Sequence, residues 1–139
     1  MQNKRIIYTN ADGGVSVVIP APGVTYEQLV KAVSEGVPFE LVDVTEVPSD
    51  RTFRNAWEKN GKGIVHNLDK AKDSAHAKRR AKRAAEFAPL DVESTIPAKA
   101  QAAEAARQAI RDRYTVIQEN IDAAATIEDL KAIVVNEGL

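Results

Sequence analysis

From Lys70 to Ala109 the apolar residues of this chain are nearly all alanine. Alanine is the best helix former, yet it removes little surface from water when it is buried. A segment of this kind should be helical and thinly packed on its own, which invites a partner chain. Most of the Val, Ile, Leu, Phe and Trp residues precede it. A core therefore belongs to the first half. The length of 139 residues suits one domain, or a small domain with an extension.

Several classes are disfavoured at once. A net charge of −1 creates no global field for a polyanion or an acidic membrane surface. Without cysteine there is no disulfide, thiol nucleophile or Cys-based metal site. The opening Met1 to Tyr8 has no apolar stretch of signal-peptide length, and no run approaches the ~20 apolar residues of a membrane span. These features fit a reducing cytoplasm.

The first half reads as a small ββαβ unit. Arg5 to Thr9 and Val15 to Ile19 are rich in β-branched residues and flank Asn10-Ala11-Asp12-Gly13-Gly14, a turn that tolerates positive φ. Thr25 and Gln28 have the spacing of a helix capping box. Leu29, Val30 and Val33 follow at helical spacing, and Gly36 suits a helix end, which predicts a helix of about ten residues. Phe39 to Val44 reads as a third strand. Ser49 or Asp50 is placed to cap a short helix that carries Phe53 and Trp57 on one face, with Asn60-Gly61-Lys62-Gly63 breaking it.

The second half reads as a long helical hairpin or bundle. Leu68 to Phe87 is one helix, with Ala88-Pro89-Leu90-Asp91 as the interruption. Thr95 to Pro97 opens another, with proline in its first turn, running to about Ala124. Its apolar positions Ala103, Ala106, Ile110, Tyr114, Ile117, Ile121 and Ala124 form a seam close to a coiled-coil repeat. Thr126 caps a last helix with Leu130, Ile133 and Val134 inward and Gly138 near its end. The expected class is α+β: a ββαβ head over 1–48, a junction over 49–66 carrying Phe53 and Trp57, and an Ala-rich helical region over 67–139.

No constellation of catalytic residues stands out. There is no nucleophile elbow and no phosphate loop, and the carboxylates are scattered along helices. His66 and His76 lack a carboxylate at metal-ligand spacing. No enzyme activity, cofactor or metal site is expected. Two signals remain. Lys78, Arg79, Arg80, Lys82 and Arg83 form a basic helix segment able to meet phosphates, but they surround the helix and carry no interleaved aromatic residue, so a solvated or protein-facing surface is the simpler reading. Arg51, Phe53, Arg54 and Trp57 bring the only tryptophan together with two arginines, either as packing at the junction or as a protein-binding anchor. The Ile110, Tyr114, Ile117 and Ile121 seam needs a covering surface, from its own helices or from other chains.

The stretch Val47-Pro48-Ser49-Asp50-Arg51-Thr52-Phe53-Arg54-Asn55-Ala56-Trp57 resembles a motif in small proteins of tailed bacteriophages, encoded among virion genes near tail or tail-fibre genes. The following Ala/Lys/Arg-rich helix, Phe87-Ala88-Pro89-Leu90-Asp91-Val92 and the closing Ala124 to Ile133 are similar to the same group, so the resemblance spans roughly 47–135. It implies a virion component or a tail-assembly factor, assembled in the host bacterial cytoplasm. Its partners would be tail, tail-fibre or neck proteins and further copies of itself. The alternatives are an assembly chaperone absent from the finished particle, and a small nucleic-acid-binding regulator using Lys78 to Arg83.

Overall fold

The computed structural model describes residues 1–139, which form two compact units, Met1–Asn67 and Leu68–Leu139. The class is α+β: strands and one short helix in the first unit, long helices in the second.

In the first unit β1 (Lys4–Thr9), β2 (Val15–Val18) and β3 (Phe39–Asp43) make an antiparallel sheet in the order β2-β1-β3. The β1–β2 loop has a local cause. Gly13 N donates to Asn10 O at 3.0 Å, Asn10 N donates to Gly14 O at 2.9 Å, and Gly13 sits at φ 80°. This is a three-residue hairpin loop that ends in a left-handed residue, where glycine carries no steric penalty. The Asn10 side-chain oxygen accepts from the backbone N–H of Asp12 and of Gly14, which holds the turn.

Because side chains alternate along a strand, the sheet has two apolar faces. Ile6, with Tyr8, Val18, Phe39 and Leu41, packs against Leu29 and Val33. Ile7, Val15 and Val42 pack against Trp57, with Val17, Val47 and Ile64 around them. The first face is covered by α1 (Tyr26–Val30), whose capping box of Thr25 and Gln28 is complete. The helix is half the expected length. After Val30 the chain turns through tighter bonds, Ala32 N to Leu29 O and Val33 N to Val30 O, which keep Val33 inward.

The second face is covered by an element that replaces the expected short helix. A 3₁₀ turn over Arg54–Ala56 leads into β4 (Trp57–Asn60), which pairs with β5 (Gly63–His66). Phe53 and Trp57 therefore share no helical face. Asn60 pairs with Gly63 and Gly61-Lys62 is the tip of a hairpin, with Gly61 at φ 60°, and not merely a helix breaker. The partners of Trp57 are strand residues of the first unit, so residues 49–66 belong with 1–48 rather than forming a separate junction.

The second unit contains α2 (Leu68–Glu93), α3 (Ala100–Ala123) and α4 (Ile127–Glu137). α2 and α3 are antiparallel: Lys72 and His76 reach Asp122, Glu86 meets Arg113, and Asp91 meets Arg107. α4 packs on both. Thr126 caps α4 by accepting from Asp129 N, and Gly138 ends it in the left-handed conformation at φ 62°. α2 runs through Pro89 without the expected break. Proline removes the bond to the carbonyl four residues earlier, and here both Pro89 and Ala85 are exposed, so water can take its place. α3 starts later than expected, at Ala100. The Ser94 and Thr95 hydroxyls donate to Asp91 O and Val92 O, ending α2 rather than opening α3.

Candidate interaction surfaces

The expected interface residues are mostly interior. Phe53 and Trp57 are fully buried, and the Trp57 indole N–H donates to His66 Nε2 at 3.2 Å. Neither can serve as a surface anchor. Arg51 is exposed and lies over the Trp57 ring at 5.6 Å, and Arg54 is also exposed. On α3, Tyr114, Ile117 and Ile121 are buried and Ile110 is half-buried. The seam thus closes on the unit's own helices. Its spacing was legible, but the identity of its partner was not.

The basic segment of α2 does not face solvent as a block. Lys82 donates to the carbonyl of Glu137, and Lys72 to that of Asp122 at 2.9 Å. Two lysines of α2 therefore sit at the C-terminal ends of α4 and α3, where unpaired carbonyls favour a cation. Arg79 Nε donates to His76 Nδ1, which leaves the His76 hydrogen on Nε2 to donate to Asp122 at 2.7 Å. Burial first, then the neighbouring charges of Arg80 and Arg83, hold the Arg79 guanidinium below its usual pKa. Lys78 is half-buried and Arg80 is exposed.

Arg83 takes part in a different arrangement. The antiparallel packing brings Arg107 and Arg111 of α3 beside it, and together with Phe87 and Asp91 they line a cleft of about 290 Å³. The guanidiniums of Arg83 and Arg111 lie over the Phe87 ring, at 4.7 and 5.9 Å from its centre. Arg107 pairs with Asp91 at 3.2 Å and with Glu104 at 3.4 Å, and Arg111 pairs with Glu104 at 2.9 Å. Hydrogen bonding from Arg111, then the charges of Arg111 and Arg107, hold the Glu104 carboxyl below the usual range. Arg107 and Arg111 lie 24 and 28 positions after Arg83, so only the helix register reveals the group.

One polar group between α2 and α3 has a measurable pH signature. Glu86 pairs with Arg113 beside the Tyr114 hydroxyl. Its carboxyl is held low first by Tyr114 and then by Arg113, whereas burial, reinforced by Glu86, pushes the Tyr114 phenol up to about 12. A carboxyl with a lowered folded pKa stabilises the fold above the ordinary carboxylate range and loses that contribution as pH falls through its folded value. Between about pH 4.5 and pH 2, native melting temperature should therefore fall more steeply than that of Glu86→Gln. Parallel melting curves through that window would contradict the assignment.

In the first unit the notable feature is the free edge of β2. The closing Asn10–Gly14 pair fixes the alternation, so Ser16 and Val18 turn their backbone groups to β1, and Val15 and Val17 turn theirs outward. The strand is Val-Ser-Val-Val, uncharged, and Ile19 beyond it is 63% exposed. The opposite edge, β3, carries Glu40 and Asp43, the kind of charge that discourages strand addition. Beside the β2 edge lies a cleft of about 330 Å³ lined by Asn10, Asp12, Gly14, Val15, Ser16, Arg54 and Asn55. Its one hydroxyl, Ser16, accepts from the Asn10 amide and is bonded by no imidazole or carboxylate.

The chain matches no family model, no curated protein and no solved structure. No group of three or more His, Asp or Glu side chains converges as a metal site, and no helix is long and apolar enough to cross a membrane.

Proposed function

We propose that this chain is a non-catalytic structural or assembly component of a tailed-phage particle, acting by protein–protein contact. The observation that carries the contact mode is the uncharged edge of β2, with the backbone of Val15 and Val17 directed outward. An edge of this kind accepts a strand from a neighbour, with main-chain hydrogen bonds giving the affinity. Tail, tail-fibre and neck proteins, or further copies of this chain, are the candidate neighbours. The phage context comes from the resemblance of residues 47–57, 87–92 and 124–133. Assembly in the bacterial cytoplasm and residence in the virion follow from that same context.

In the basic helix Arg79 and Lys82 each make a hydrogen bond within the second unit, which lowers the number of donors free for a polyanion and favours the contact reading. Val17→Pro, set against Val17→Ala to allow for the packing of Val17 beside Trp57, tests the edge. The Val17 N–H points away from β1, so proline removes no ladder bond but blocks strand addition. A Val17→Pro chain supplied during infection should melt within about 4 °C of the native protein, a shift worth at most about 1 kcal/mol, yet be recovered from purified particles at a tenth of the native level or less. Equal recovery would overturn edge pairing as the mode of contact.

A further inference from the structure

We propose that the cleft lined by Arg83, Phe87, Asp91, Arg107 and Arg111 binds a phosphate group. This site is separate from the β2 edge and does not depend on the particle reading. Three guanidiniums and one carboxylate line the cleft. Each guanidinium has five N–H donors, and much of that capacity is uncommitted. Arg107 uses one terminal nitrogen on Glu104 and the other on Asp91, while its buried Nε–H has no acceptor in the protein. Arg111 directs one terminal nitrogen to Glu104 and Gln108. Arg83 has no carboxylate partner and lies over Phe87.

Stacking on Phe87 orients Arg83 and Arg111 without consuming their N–H groups. Two carboxylates are already within reach of this cluster and leave donors unfilled. A carboxylate offers two oxygens in one plane. A tetrahedral phosphate offers oxygens in several directions and can meet three planar forks from one centre. The cleft is shallow and open, so such a group can reach it from solvent. The phosphate can be a free ion or part of a polynucleotide backbone, and the same site chemistry serves both.

The test follows the arginine Nε–Hε resonances of full-length ¹⁵N-labelled protein while sodium phosphate replaces sodium chloride at constant ionic strength. Arg83, Arg107 and Arg111 should shift together and saturably, with a dissociation constant on the order of 1 mM, while Arg5 and Arg54 stay in place. Arg83→Gln should weaken binding about tenfold, the effect of losing one charge-assisted contact. Arg80→Gln, exposed on the same helix and outside the cleft, should leave it unchanged. A short DNA duplex at the same ionic strength is the second arm. If it moves the same three resonances, backbone phosphates are a ligand; if only free phosphate moves them, the site takes a small anion. Shifts no larger than with chloride, equal shifts at all arginines, or equal effects of the two substitutions would each overturn the site.

Discussion

Trp57→Ala should destabilise the first unit by about 3–5 kcal/mol, the usual effect of emptying a fully buried aromatic site. Trp57 touches strands from both ends of the unit, packing with Ile7, Val15 and Val42. The β4–β5 hairpin contributes Trp57 and Ile64 to that face, and Trp57 is the larger and the fully buried one, so its loss weakens the hold on the hairpin. The substitution also removes the donor to His66 Nε2. A domain of this size has only a few kcal/mol of stability in reserve, so much of the first unit would populate open states. The direct readout is amide exchange at Ile7 in the full-length chain. Its protection should fall by a factor of about 100 to several thousand, at 1.4 kcal/mol per tenfold. Unchanged exchange at Ile7 would mean that Trp57 does not hold this face.

Ile121→Ala should cost the helical unit about 2–5 kcal/mol. An Ala-rich unit concentrates its burial in few residues. Tyr114, Ile117, Ile121, Leu130 and Val134 are the large buried side chains, and Ile121 and Leu130 are completely enclosed. The alanines around them, such as Ala71, Ala75 and Ala103, allow close helix approach but contribute little area. Val116 lies on the same helix and is 53% exposed, so Val116→Ala should stay within about 0.5 kcal/mol. Chemical denaturation followed by helical circular dichroism compares the two. Similar midpoints for both variants would show that the seam is not the unit's core.

What could be read in advance was local. The Asn10 to Gly14 turn, the Thr25 and Thr126 caps and the seam spacing of α3 depend on neighbours a few residues away, and each formed. The β4–β5 hairpin was hidden because Phe53 and Trp57, four apart, imitate a helix face. Asn60-Gly61 carried the correct signal, but its meaning required Trp57, Ile64 and His66 to be seen as strand residues. Pro89 reads as an interruption until the exposure of Ala85 is known. The arginine cleft was illegible for a different reason: Arg83, Arg107 and Arg111 meet only through the antiparallel register of two long helices, which depends on tertiary packing. The interface expectation for Phe53, Trp57, Tyr114, Ile117 and Ile121 identified residues of large apolar area. Area alone does not say whether the covering surface is the chain itself or a neighbour.

The role as a particle component is tested most directly by mass spectrometry of purified phage particles, with this chain quantified against the major capsid and tail-tube proteins. A fixed ratio from one preparation to the next is the predicted result, and its value would distinguish neck, tube or fibre. Absence from particles, in cells where the chain is made during infection, would contradict a structural role and leave an assembly chaperone or a nucleic-acid regulator in its place.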